Sequence, residues 1–318
     1  MKKSTKLYFT ADIHGSQKCF YKFINAGKFY GVNVLIMGGD ITGKAIIFIE
    51  KDKNGNYNCT YMGNHYKFQS ISEVDEFVKL VKINGYYPYI AEKGEIETYL
   101  KNDKAMNELF IKLMSKTISE WMEIAENRLK NTGIRCFIMI GNDDPPVIKN
   151  IINQSSYVID PEDKVIAIDD YHDMISIGLS NPTPWHTPRE CSEEELTEKI
   201  DKLMTEISNP NTSILCAHVP PYGTGLDDAP KLTDSLQVIS KFGQVQFSPA
   251  GSTAVLNAIK KYQYLLSLHG HIHEVHAIKK IGKTVCINPG SDYGEGVLHG
   301  VVVVLDKNRL LSYQLVSG

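Results

Sequence analysis

The chain has 318 residues, 42% of them hydrophobic and 22% charged, with a formal net charge of −3. This composition excludes disordered, collagen-like and disulfide-scaffold classes. It also gives no whole-chain field able to grip a polyanion by counterion release, which argues against extended nucleic acid as a partner.

Lys2 and Lys3 precede an apolar run from Leu7, but Asp12 interrupts it before a signal-peptide core forms, so no secretion signal is expected. The strongest apolar run, Val301 to Leu305, is five residues long, far below the ~20 a membrane-spanning helix needs. No membrane partner is expected. Cys19, Cys59, Cys136, Cys191, Cys216 and Cys286 are widely spaced without a CxxC pair and read as small hydrophobes in a reducing cytoplasm.

In chain order, Leu7 to Ala11 reads as a strand, Gln17 to Tyr30 as a helix, and Val34 to Met37 as a second strand ending in Gly38-Gly39-Asp40. That is a β-α-β unit. Ala45 to Ile49 and Tyr57 to Met62 flank Asn54-Gly55, a strong hairpin signal. Tyr86, Tyr87 and Tyr89 follow. Met106, Leu109, Phe110, Leu113, Ile118, Trp121, Met122, Ala125 and Leu129 recur at helical spacing, one apolar face that packs on a sheet. Further strands are expected over Cys136 to Ile140, Val165 to Ile168, Met174 to Leu179, Ser213 to Ala217, Tyr264 to Leu268, Thr284 to Ile287 and Val301 to Leu305. Ser192 to Ile207 and Thr253 to Lys261 read as helices. Early α/β alternation gives way to a meander.

Metal-capable side chains stand at the ends of five expected strands: Asp12 and His14, Asp40, Asn142 and Asp143, His218, then His271 and His273. In open α/β sheets such ends gather in one crevice. Two overlapping His-x-His pairs, through His269, His271 and His273, exceed the roughly 0.3 that chance gives a chain with ten histidines. The set fits two divalent ions sharing a carboxylate. Nitrogen and oxygen donors without thiolate suit Mn, Fe, Zn or Ni better than Ca. In such centres a bridging hydroxide attacks a phosphorus in line while the ions stabilise the charged oxygens. With Asp12, Asp40 and that hydroxide, the centre keeps a positive charge matched to an anionic phosphoester.

These blocks, Asp-x-His, Gly-Asp, Gly-Asn, His and Gly-His-x-His over residues 12 to 273, resemble the calcineurin-like metallophosphoesterase superfamily. Softer similarity to its small Icc-like members lies in His218-Val219-Pro220-Pro221-Tyr222-Gly223-Thr224, Gly251-Ser252, Glu274 and Asn288-Pro289-Gly290-Ser291. The resemblance implies a four-layer α/β/β/α sandwich of two mixed sheets. Residues 1–318 then read as one such domain whose surplus length is an insertion at about 44–94, a β-hairpin plus helix, and the hairpin offers a surface for homo-oligomers. Asp12, His14, Asp40 and His273 would hold one metal, and Asp40, Asn142, His218 and His271 the other.

The family's histidine after Gly-Asn is Asp143 here. An aspartate beside two cations stays ionised and makes a poor general acid. General acid catalysis typically supplies ~10²–10⁴-fold, so esters with basic leaving groups should suffer most, and phosphodiesters or activated esters are favoured. Asp143 remains the catalytic candidate, as weakened catalyst or as support. Asp144 is expected to cap the helix that Pro145 or Pro146 begins. Substrate candidates are Asn142, Tyr222 as a wall beside His218, His186 in a proline-rich loop, and Ser252, whose helix N-terminus suits either a phosphate or an ordinary cap. The competing function is a metal-binding scaffold or protein-interaction module with little turnover.

Overall fold

The computed structural model describes residues 4–318. Its elements run β1 (Thr5–Thr10), α1 (Gln17–Phe29), β2 (Val34–Gly38), β3 (Ile46–Lys51), β4 (Tyr57–Tyr61), β5 (Asn64–Phe68), α2 (Ile71–Ile83), β6 (Tyr87–Glu92), α3 (Lys93–Leu100) and α4 (Asp103–Leu129). There follow β7 (Arg135–Met139), α5 (Val147–Ile152), β8 (Val165–Ala167), β9 (Asp173–Ile177), α6 (Glu193–Met204), β10 (Ile214–Ala217), β11 (Asp228–Pro230), β12 (Ser240–Lys241), β13 (Gln244–Val245) and β14 (Phe247–Pro249). The chain closes with α7 (Thr253–Tyr262), β15 (Leu266–Leu268), β16 (Ala277–Ile281), β17 (Thr284–Asn288), β18 (His299–Asp306) and β19 (Arg309–Ser317).

Two sheets carry the fold, in the orders β19-β18-β1-β2-β7 and β16-β17-β15-β10-β9-β8. In the first, β1, β2 and β7 run parallel and β18 and β19 join antiparallel; in the second, β17, β15, β10 and β9 run parallel between antiparallel edge strands β16 and β8, so both are mixed. Period-two alternation decides which side chain goes where. Leu7, Phe9, Val34 and Ile36 face the second sheet, meeting Met174, Ile214, Leu266 and Ile287 in a dry middle layer. Tyr8, Leu35 and Met37 face outward onto α1, α4 and α5, where Trp121 stacks on Phe20 with ring centroids 4.3 Å apart. On the other outer face, Ile175, Ile177 and Leu215 pack beneath Leu196, Ile200, Val255 and Ile259 of α6 and α7. The result is the four-layer α/β/β/α sandwich. Among the described residues, no helix is long and apolar enough to cross a membrane.

Residues 46–92 form a separate four-stranded sheet, β5-β4-β3-β6, which buries Ile49, Tyr57, Cys59 and Tyr61 against Val74, Phe77 and Val81 of α2. The segment is thus larger than a hairpin plus a helix. Pro88 hides β6 from a reading by sequence, because proline argues against a central strand. β6 pairs with β3 alone and lies at the sheet edge, where proline is tolerated. The short β11 to β14 excursion and the exposed final strand β19 also carry no clear apolar pattern.

The inserted sheet is docked onto the loop after β1. The Ser16 hydroxyl donates to the Ile83 carbonyl at 2.5 Å, and Gly85, at φ +85°, passes so close that a Cβ there would lie 2.2 Å from the His14 carbonyl. Gly55 has nearly the same φ, +84°, but open space around it. Gly55→Ala should therefore cost only the left-handed backbone penalty, about 1–2 kcal/mol. Gly85→Ala should cost about 1–3 kcal/mol more because the neighbouring loop must move. Equal urea-unfolding midpoints for the two variants would show that the docking contact is not tight.

Candidate metal centre

The parallel strands end on one edge of the sandwich, and the metal-capable side chains sit directly beyond those ends. Asp12 and His14 follow β1, Asp40 follows β2, Asn142 and Asp143 follow β7, His218 follows β10, and His271 and His273 follow β15. His14, Asp12, Asn142, Asp40 and His218 are all at most 3% exposed. Turning so sharply from strand to loop forces positive φ at Asp12 (57°), His14 (37°), Asp40 (52°) and His271 (70°). Strain of this kind costs on the order of 1–3 kcal/mol per residue and persists where surroundings over-determine it.

Six of the seven ligand candidates converge in two groups. Asp12, His14 and His273 bring ligand atoms within 4.8 Å of one another, as do Asp40, His218 and His271. The Nε2 atoms of His14 and His273 are 3.0 Å apart. Asp40 stands between the groups: its Oδ2 lies 3.3 Å from His218 Nε2 and 3.8 Å from His14 Nε2, while its Oδ1 accepts from the Asp143 N–H at 3.0 Å. His218 Nδ1 lies 2.8 Å from the Gly38 carbonyl, which assigns a hydrogen to Nδ1 and makes Nε2, facing Asp40 and Asp12, the nitrogen that would ligate once it is deprotonated. Asn142 is steered the same way. Its amide nitrogen donates to Thr187 Oγ1 at 2.9 Å, and its Oδ1 is buried without a hydrogen-bond partner.

Charge makes the same case as geometry. Burial lowers the basicity of His271 to about 3 and of His273 to about 4, assisted respectively by His218 and Lys44, so both are neutral and able to donate a lone pair. Burial and Lys44 hold His14 well below the ordinary imidazole range. Burial pushes Asp12 up to about 7 and Asp144 to about 6, each with Asp40 adding to the effect. His218 runs the other way: burial disfavours its charge, but Asp40 and Asp12 outweigh it and raise the ring to about 10. Asp40, although buried, is held well below the usual carboxylate range by His218 and His14. Clustered carboxylates, neutral imidazoles and orphaned donor atoms fit divalent cations, whose charge would offset the cost of burying the acids.

Some expectations change. Burial and Asp40 raise Asp143 above its ordinary value, and Lys44, 3.0 Å from its Oδ2, opposes them, so the protein groups alone do not depress it. Asp144 does not cap α5, whose N-cap is Pro146. Its carboxylate accepts instead from the N–H groups of Ile41, Thr42 and Gly141 and from the Thr42 hydroxyl, tying the loops after β2 and β7 together. Ser252 is fully buried and caps α7, and Glu193 occupies the Thr253 and Ala254 amides, so that helix end is closed to a phosphate. His186 is exposed at φ +50°; its loop reaches the centre through Thr187, on Asn142. Tyr222 is 44% exposed beyond His218.

Supporting residues were harder to foresee. Arg189 pairs with buried Glu162 and donates to the Ile140 and Gly141 carbonyls, fixing the end of β7. Asn288 holds the Gly270 and Ile272 carbonyls, Ser291 the Asp12 carbonyl at 2.6 Å, and His269 lies 2.9 Å from the Ala217 carbonyl. Tyr293 packs on the His14 ring at 4.7 Å. Lys44 and Tyr293 carry no motif that would single them out.

No protein-family model matches the chain. The uncharacterized protein MJ1162 of Methanocaldococcus jannaschii is 31% identical over 144 residues, which is 44% of this chain and 58% of that protein. The chain thus aligns with little over half of that relative's length. Among solved structures, TT1561 of Thermus thermophilus superposes with TM-score 0.55 at 12% identity over 99% of both chains. A phosphatase from Mycoplasma pneumoniae is more distant, with TM-score 0.45 at 13% identity, over all of this chain and 94% of its own. The likeness to TT1561 shows the fold alone; it is the order of the strand-end blocks that resembles the calcineurin-like metallophosphoesterases.

Because Asp40 and Asp12 raise the basicity of His218 and a ligating imidazole must be neutral, uptake of a divalent cation should release protons. Apparent Mn²⁺ affinity should therefore rise with pH between 6 and 8, by about tenfold per unit for each proton released. Calorimetric titration in buffers of different ionisation heat measures that release. Heats that do not depend on the buffer would show that His218 is not displaced.

Proposed function

We propose that the chain is a metal-dependent phosphoesterase with a dinuclear centre, acting on a small phosphoester and favouring diesters or activated esters. The observation that carries this reading is Asp40, whose Oδ2 faces imidazoles of both ligand groups at 3.3 and 3.8 Å. Asp12, His14, Asp40 and His273 would hold one ion, and Asp40, Asn142, His218 and His271 the other. Divalent cations bound there would supply Lewis acidity toward a phosphoryl oxygen and toward the attacking water. Manganese, iron, zinc and nickel all suit this donor set.

The protein's own residues do the positioning. Gly38 fixes the His218 tautomer and Thr187 aims the Asn142 carbonyl, while Asp144 keeps the β2 and β7 loops in register. Such outer partners commonly contribute ~10–100-fold to metal affinity or activity. Asn142, Tyr222 and His186 remain the residues proposed to meet substrate, with Ser252 removed from that set. On this reading the described residues make one catalytic domain interrupted by the inserted sheet, and six free cysteines, five of them buried, suit a reducing cytoplasm. A scaffold without turnover is the less economical reading, because such a scaffold need not retain all seven candidate ligands.

With Mn²⁺ supplied, the wild-type protein should hydrolyse bis-p-nitrophenyl phosphate faster than unactivated alkyl monoesters. Asp40→Asn should lower that rate by about a hundredfold or more, since one change weakens both ligand groups. Absence of turnover on either substrate class, together with an Asp40→Asn variant that binds metal like wild type, would refute the phosphoesterase reading.

A further inference from the structure

Asp143 occupies the position where the resembling family has a histidine, and its partner is a residue that no motif marks. Lys44 Nζ lies 3.0 Å from Asp143 Oδ2, and the Asp143 backbone N–H in turn donates to Asp40 Oδ1 at 3.0 Å. The ammonium is therefore one residue removed from the carboxylate that joins the two ligand groups. The Lys44 side chain is 48% exposed, so it stands at the mouth of a centre whose Asp12, His14, Asp40, Asn142 and His218 are buried.

The backbone around Lys44 is held from both sides. Before it, Ile41 and Thr42 donate to Asp144, and the Gly43 N–H donates to Tyr87 Oη at 2.8 Å. After it, the Ala45 carbonyl accepts from the Tyr87 N–H at 3.0 Å. Tyr87 belongs to the inserted sheet, whose Ile83 and Gly85 also rest on the His14 to Ser16 loop. The insertion thus begins with this lysine and then returns to clamp the loop that carries it.

We propose that Lys44, oriented by Asp143 and by the docked insertion, binds an anionic phosphoryl oxygen of the substrate and so takes over the charge-stabilising part of the absent histidine's work. The inference rests on the phosphoesterase reading. Lys44 is the catalytic residue of the pair and Asp143 its positioning residue. An ammonium has three donors; one meets Asp143 and two remain for the ligand. Together the two side chains are neutral, so they add directed donors without adding net charge. Lys44 keeps its proton throughout, and the leaving alcohol takes its proton from water.

Inorganic phosphate binding to the Mn²⁺-loaded protein tests this apart from turnover. Lys44→Ala should weaken phosphate affinity by about 10–100-fold, the scale of a hydrogen bond to a charged group, and should lower kcat/KM on the aryl diester by a similar factor with metal content unchanged. Asp143→Asn should do the same to a smaller extent. The double variant should be no weaker than Lys44→Ala alone, a non-additivity that mere loss of packing would not produce. Unchanged phosphate affinity in Lys44→Ala, or loss of metal from it, would overturn the proposal. If the wild type turns over no ester and Asp40→Asn binds metal like wild type, the phosphoesterase reading fails, while the phosphate measurement still decides the role of Lys44.

Discussion

Asp40 follows β2 of the first sheet and faces His218 beyond β10 of the second, with one carboxylate oxygen turned to His218 and His14 and the other tied to the Asp143 backbone. Around it, Asp12 and Asp144 are buried almost completely, and three imidazoles are pushed toward neutrality by the same burial. Acids crowded out of water are costly unless a positive charge meets them. One imidazole, His218, meets part of that need: it faces Asp40 and Asp12, which raise its basicity to about 10. Divalent cations would meet it more fully, and much else in the structure serves to keep these donors in place: strained φ at four ligand candidates, Asp144 across two loops, Asn288 and Ser291 beneath the turns.

Much of the architecture is visible in the sequence because period-two alternation and strand-end punctuation are local signals. Leu7 and Phe9 point one way and Tyr8 the other, and Asp12, Asp40, Asn142, His218 and His271 each follow such a run. What sequence does not show is partnership between distant loops. Asp144 looks like a helix cap because two prolines follow it, but its hydrogen-bond partners are Ile41 and Thr42, 103 and 102 residues earlier. Ser252 looks open to a phosphate because nothing local reveals that Glu193 of α6 already occupies the helix end. Lys44 looks like one more surface lysine until the fold sets it against Asp143.

The insertion changes meaning in the same way. Read along the chain, a hairpin and tyrosines between two ligand blocks suggest an appendage. In three dimensions the segment has its own core, from Ile49 to Val81, and a base that meets the His14 to Ser16 loop through Ile83 and Gly85 and the Lys44 loop through Tyr87. An independently packed unit that is also docked at the crevice can fix a residue there without lengthening a flexible loop, which is the physical advantage of building it between β2 and β7.

The most direct test of this account is anomalous diffraction from crystals of the protein grown with Mn²⁺, recorded near the manganese edge. Two peaks about 3.5–4 Å apart, the usual spacing of two-metal sites, with Asp40 touching both and His14 and His218 on opposite sides, are the predicted result. No peak at this crevice, with His218 still paired to Asp40, would contradict it.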